Sequence, residues 1–251
     1  MSTKGVVDIV FCLDASHSMQ PCIDAVRRHV FSFVSSLEAS PNQRRVDWRV
    51  DFLAYAADQE GNVFQHQSLH SSRMNVLDAL YPTPKSEYFF TRDLAEFQRG
   101  LEQIEVGGDE ATLLALDVAL DYPWRPRHEC HRVLVCLTDE PFETNAARDM
   151  QLPRLPELLD KIQKLGVMLF LIAPESDVYS RIGDVDKSEY ETVDEVGNGL
   201  QSVAFDKVLA YMGKSVSMAG QVSGQTKEPR VRRALFGQDQ FASTCETIRG
   251  R

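Results

Sequence analysis

Apolar runs of strand length alternate along this chain with stretches of helical periodicity. Val6 to Leu13 (VVDIVFCL) is mostly apolar and β-branched, as a strand covered on both faces must be. Pro21 opens a helix, where the missing N–H of proline costs little. Ile23, Val26, Val30, Phe33, Val34 and Leu37 then follow at helical spacing, and Ser40-Pro41-Asn42 ends the element. Val46 to Ala57 reads as a long strand with Val46, Trp48, Val50, Phe52 and Ala54 on one face. A turn at Gly61-Asn62 leads to a weaker strand, Val63 to Leu69. Beyond a loop holding Pro82 and Pro84, Tyr88-Phe89-Phe90 is a short strand or an extended segment. Asp93 caps a helix carrying Leu94, Phe97, Leu101 and Ile104. Gly107 to Glu110 is a turn before a helix with Leu113, Leu116 and Leu120, which Tyr122-Pro123-Trp124-Arg125-Pro126 stops. Arg132 to Leu137 and Val167 to Ile172 are two more buried strands, with a helix over Pro153 to Leu165 between them. Tyr190 to Asp194 is a candidate edge strand. Leu200 to Ser217 is helical, with Phe205, Val208, Leu209, Met212 and Val216 on one stripe.

Strands alternating with helices predict an α/β fold, doubly wound, with a mostly parallel central sheet and helices on both faces. The alternation runs to about residue 220. The remainder, 221–251, is rich in Gly, Ser and Gln, and sets Lys227, Arg230, Arg232, Arg233, Arg249 and Arg251 against Glu228, Asp239 and Glu246. The expected division is a domain over 1–220 and a basic, flexible tail over 221–251. Leu235, Phe236 and Phe241 make a short docking segment in that tail conceivable, though a solvated end is the plainer reading.

Charge narrows the function class. The chain has 251 residues, with 27 Lys and Arg against 37 Asp and Glu. That balance argues against nucleic-acid binding, which needs clustered cations. Five cysteines are too few for a disulfide scaffold, and Cys12 and Cys136 lie inside apolar runs as reduced core thiols. No stretch approaches the roughly 18 apolar residues of a membrane helix. The apolar run before Asp14 is too short for a secretory signal. A cytoplasmic protein without membrane contact is expected.

Polar chemistry gathers where the buried strands end. In an open parallel sheet, ligands bind beyond the carboxyl ends of the strands, at the switch point of strand order. The first strand runs into Asp14-Ala15-Ser16-His17-Ser18, and the strand at 132–137 runs into Thr138-Asp139-Glu140. The Gly107–Glu110 turn feeds a helix start between them. These loops can present Asp14, Ser16, Ser18, Glu110 and Asp139 to one point. All five are hard oxygen donors, which suit Mg²⁺, Mn²⁺ or Ca²⁺ and disfavour Zn²⁺. Two neutral hydroxyls in a D-x-S-x-S loop leave an ion electrophilic enough to take a further carboxylate from outside. The paired glycines let the backbone turn sharply where Glu110 must reach inward.

FCLDASHSM after an apolar strand, GGDEATLLALDVAL in mid-chain and VLVCLTDEPF later resemble, in that order, the von Willebrand factor A (VWA) domain and its metal-ion-dependent adhesion site. The resemblance covers residues 5–217. It implies Asp14, Ser16 and Ser18 as first-loop ligands and Asp139 as the third-loop ligand. For the second loop, alignment on the following helix implies Glu110, with Thr112 and Asp109 as alternatives. His17 stands where the family motif has Gly, which adds a titratable group at the rim; an ordinary loop histidine is the plainer reading. The family's mode of action implies a non-enzymatic interaction module, in which a bound Mg²⁺ (or Mn²⁺ or Ca²⁺) accepts an Asp or Glu side chain from a partner protein. The chain looks most like stand-alone bacterial VWA proteins of the TerY type. Those occur with a Ser/Thr kinase and a phosphatase in stress-response or phage-conflict systems.

Other clusters point less sharply. His128-Glu129-Cys130-His131 has no second pair at zinc spacing, and Asp184-Val185-Asp186 lacks the later Glu of a calcium loop. A strand ending in Asp beside Mg²⁺ also describes haloacid-dehalogenase-like phosphatases. Their D-x-D-x-T motif needs a second Asp as acid/base where this chain has Ser16, so phosphoryl transfer is the runner-up. A metal-free scaffold is the third reading.

Overall fold

The computed structural model describes residues 5–38, 46–58, 64–73, 88–194 and 196–221. The chain order is β1 (Val6–Asp14), a 3-10 turn (His17–Met19), α1 (Gln20–Glu38), β2 (Asp47–Ala57), β3 (Phe64–Ser68), α2 (Leu69–Arg73), α3 (Leu94–Glu102) and α4 (Thr112–Leu120). It continues with β4 (His131–Leu137), α5 (Arg148–Gln151), α6 (Leu155–Leu165), β5 (Met168–Pro174), α7 (Asp177–Gly183), β6 (Ser188–Val193) and α8 (Phe205–Gln221). Six strands lie in the order β3-β2-β1-β4-β5-β6. All pairs are parallel except β2 with the edge strand β3.

Both faces of the sheet are covered, which explains why the central strands are mostly apolar, with Asp8 of β1 and Asp51 of β2 as buried exceptions. Ile9, Phe11 and Leu13 of β1 pack with α1, α3 and α8, while Val10 and Cys12 pack with α4, α6 and α7. Phe11 sits 5.7 Å from both Phe33 and Phe97, centroid to centroid, and locks α1 and α3 onto β1. The stripe read on the last helix (Phe205, Val208, Leu209, Met212, Val216) is buried in the first of these cores.

The switch point falls between β1 and β4, since the chain moves outward from β1 through β2 to β3 and returns on the other side. The loops after β1 and β4 therefore open onto one crevice. Asp14 closes β1, and Asp139 lies two residues past β4.

Several boundaries differ from the periodicity. α8 begins at Phe205 rather than Leu200, because Gly197, Gly199 and Leu200 all take positive φ and turn the chain first. The edge strand begins at Ser188 and pairs parallel to β5. Tyr88–Phe90 is not a strand; the adjoining Thr91 makes a single antiparallel bridge to Val50. The buried Asp51 carboxylate accepts the Phe90 N–H at 2.7 Å and the Phe52 N–H at 2.8 Å, which holds the segment down. α7 carries no long periodic signal. Ser176 caps it by accepting the Tyr179 N–H, and Val178, Tyr179 and Ile182 are buried. The helix stop at 40–42, the turn at 61–62, the loop of Pro82 and Pro84 and the tail from 222 onward lie outside the described residues.

Candidate metal centre

The first loop leaves β1 with Asp14 fully buried. Its Oδ1 accepts the Ser16 N–H at 2.8 Å and its Oδ2 accepts the Thr138 hydroxyl at 2.7 Å. Ala15 N–H donates to the Tyr55 carbonyl, which extends the β1–β2 register past the end of the strand. The Ser16 and Ser18 hydroxyls lie 3.3 Å apart, and Ser18 donates to Asp139 Oδ1 at 3.0 Å. The first and third loops are thus joined by a direct side-chain contact across the crevice.

The second loop is pinned from both ends. Gly107 N–H donates to the Ala15 carbonyl at 2.7 Å, and Asp109 exchanges two backbone bonds with Ala57. Gly108 takes φ +82°, and a Cβ there would stand 2.1 Å from the Ala57 carbonyl oxygen, so only glycine permits this path. Glu110 is delivered into the crevice at 7 % exposure.

The third loop is capped from the chain before α8. Gly199 N–H donates to Asp139 Oδ2 at 2.5 Å and Gly197 N–H to the Asp139 carbonyl at 2.9 Å. Gly199 has φ +64°, and a Cβ on it would meet the Ser18 carbonyl.

Asp14, Glu110 and Asp139 each offer a carboxylate oxygen, all within 4.8 Å of one another. Among the described residues they form the one group of His, Cys, Asp and Glu side chains disposed to hold an ion. Such a set is poorly tolerated without a counter-charge, because burial and mutual repulsion both disfavour ionisation. Burial pushes the Asp14 carboxyl up to about 7, with the charge of Asp139 adding to the shift. Glu110 is pushed up to about 10 by burial, by a hydrogen bond with Asp109 and by the charge of Asp14. The donor set suits a hard divalent cation, whose charge would reverse both shifts.

The second-loop alternatives separate on geometry. Glu110 joins the carboxylate group. The Thr112 hydroxyl is fully buried and lies 3.0 Å from both the Tyr55 and Tyr179 hydroxyls. Asp109 accepts the Glu110 N–H at 2.8 Å and is not part of the group. His17 is exposed on the rim beside Gly107. His128–His131 and Asp184–Asp186 belong to no such group; Cys130 instead donates to the His131 carbonyl.

Sequence reasoning passed over Thr138, the 197–199 segment, Tyr55, Tyr179 and Gln151. A hydroxyl closing an apolar strand was the available signal for Thr138, and the G-x-G spacing for the segment. The other three carry no mark of their own in the sequence.

A family model for the von Willebrand factor type A domain matches residues 8–206. Among curated proteins none matches significantly. Solved structures share the fold. A von Willebrand factor type A protein from Catenulispora acidiphila has 10% identity and a TM-score of 0.53, over 85% of this chain and 43% of that one. Proximal thread matrix protein 1 from the mussel byssus has 17% identity and a TM-score of 0.51, over 86% of this chain and 46% of that one. A structure of the same byssus protein described as having a zinc-occupied MIDAS motif has 15% identity and a TM-score of 0.50, over 87% and 47%. This chain spans less than half the length of each of these solved chains. By the extent of the family match and the doubly wound sheet beneath it, the chain belongs to the von Willebrand factor type A domain family of interaction modules.

Proposed function

We propose that this chain is a non-enzymatic, divalent-metal-dependent protein-interaction module, with Asp14, Ser16, Ser18, Glu110 and Asp139 as the residues that hold the ion. The observation that carries this reading is the convergence of three buried carboxylates from three separate loops. When bound, an Mg²⁺-type ion supplies a fixed positive charge and an exchangeable coordination position for a partner's Asp or Glu side chain. Asp14 and Asp139 are held by N–H and hydroxyl donors that orient both carboxylates toward the crevice. Ser16 and Ser18 contribute oxygen without charge. A hard donor set favours Mg²⁺, Mn²⁺ or Ca²⁺, and the zinc in the byssus structure belongs to that protein.

The partner class follows from the same chemistry: a protein surface offering an acidic side chain, neither nucleic acid nor membrane. No helix among the described residues is long and apolar enough to cross a membrane. A bacterial, cytoplasmic setting beside a Ser/Thr kinase and a phosphatase, as in TerY-type proteins, rests on the sequence resemblance alone. The division into a 1–220 domain and a 221–251 tail rests on the end of the strand–helix alternation and the Gly, Ser, Gln and basic composition that follows it. The test is affinity capture from source lysate with Mg²⁺ and again with chelator, repeated with Asp14→Ala. A partner retained only by the unaltered chain in Mg²⁺ supports the metal bridge. Equal recovery in EDTA would leave a metal-free scaffold, and turnover of p-nitrophenyl phosphate with Mg²⁺ would favour phosphoryl transfer.

A further inference from the structure

The helix that follows Glu110 starts without a cap of its own. The N-cap position of α4 is Ala111, and no side chain there accepts a bond from the first turn. A helix start leaves several N–H groups without intrahelical partners, and an N-cap side chain ordinarily takes those of the second and third residues. In α4 those residues are Leu113 and Leu114, both buried. Gln151, at the end of α5, supplies the missing acceptor from another part of the chain. Its Oε1 accepts the Leu113 N–H at 2.8 Å and the Leu114 N–H at 3.3 Å. The other end of the same amide is also engaged. Nε2 donates to Asn145 Oδ1 at 3.2 Å, and that oxygen also accepts the Ala147 N–H at 2.9 Å. Gln151 is fully buried, so water cannot replace it.

This amide therefore ties two loops together. Asn145 and Gln151 belong to the segment that continues from Asp139, and α4 begins two residues after Glu110. We infer that Gln151 is a positioning residue of the metal centre: by capping α4 in trans it holds Glu110 at a fixed distance from Asp139 before any ion arrives. Preorganisation matters here because the carboxylates repel one another. A loosened first turn would let Glu110 swing away into solvent. The inference rests on the proposed metal-binding function. Outer contacts of this kind typically change metal affinity by about 10- to 100-fold.

The test is calorimetric titration of the full chain with Mg²⁺ and with Mn²⁺, comparing the unaltered protein, Gln151→Met and Gln151→Glu. Methionine keeps the volume and removes the acceptor, whereas glutamate keeps the acceptor. The expected result is a dissociation constant weakened about 10- to 100-fold in Q151M and weakened less in Q151E, whose carboxylate still accepts the Leu113 and Leu114 N–H groups but loses the bond donated to Asn145 Oδ1. Binding by Q151M as tight as in the unaltered chain, or an equal loss in both variants, would overturn the positioning role and leave the metal site standing. An unaltered chain that binds neither ion would overturn the metal site itself, and the inference with it. Should Q151M not fold, amide hydrogen exchange in the unaltered, metal-free chain carries the test. Leu113 and Leu114 amides protected as well as Ala115 support the cap, and exchange at the rate of a frayed first turn refutes it.

Discussion

Asp14→Asn should reverse its effect on stability according to whether metal is present. In the metal-free chain the Asp14 carboxyl is raised from 3.8 to about 7, chiefly by burial. The folded state therefore keeps a proton that the unfolded chain has already lost between those two values. Stability consequently falls as pH rises through that window, and the full penalty is present above pH 7. About three pKa units correspond to at most about 4 kcal/mol. Asparagine removes the penalty while keeping the local bonds. Its oxygen can accept the Ser16 N–H, and its amide can donate to a rotated Thr138 hydroxyl. In EDTA at pH 8, D14N should melt above the unaltered chain, each kcal/mol being worth about 2–4 °C in a protein of this size. Near pH 4.5 the gap should shrink to about 1 kcal/mol, because most of the penalty has not yet developed. With Mg²⁺ at about 100 times its dissociation constant, the unaltered chain should gain about 2.7 kcal/mol and the variant nothing. Circular-dichroism melts over this grid of pH and metal check the claim. A D14N chain less stable than the unaltered one at pH 8 in EDTA would show that the buried charge of Asp14 is not what burdens the metal-free fold.

Gly108→Ala forces a Cβ onto the Ala57 carbonyl at positive φ; it should lower the thermal midpoint and weaken Mn²⁺ binding together, as read by melts and calorimetry. Thr112→Val removes the hydroxyl shared by Tyr55 and Tyr179, and should cost about 1–3 kcal/mol in urea unfolding while leaving Mn²⁺ binding detectable. Loss of all metal binding in T112V at unchanged stability would instead make Thr112 a ligand. Removal of residues 222–251 should leave the thermal midpoint nearly unchanged, and a drop of more than a few degrees would show that the tail packs on the body.

The sheet was legible because its strands are buried on both sides. VVDIVFCL, RVLVCL and VMLFLI are almost wholly apolar runs that little else in a soluble chain requires. Asp14, Ser16 and Ser18 were legible for a related reason, being oxygen donors placed where such a run stops. What escaped depends on distant parts of the chain meeting. Gln151 is one polar residue in a four-residue helix, and its spacing does not indicate that it faces Leu113, 38 positions earlier. Thr112 stands as the alternative ligand to Glu110 until Tyr55 and Tyr179 are seen to enclose its hydroxyl. α7 is too short for periodicity to register, although Ser176 before Asp177 is a cap signal. The late start of α8 follows from positive φ at Leu200, a backbone state that a leucine gives no hint of in sequence.

The most direct measurement is anomalous diffraction from crystals soaked in Mn²⁺. A single strong peak enclosed by oxygens of Asp14, Ser16, Ser18, Glu110 and Asp139 is expected. Density for solvent alone at that point, with the Asp14 and Asp139 carboxylates turned away from each other, would contradict a cation centre at the crest of this sheet.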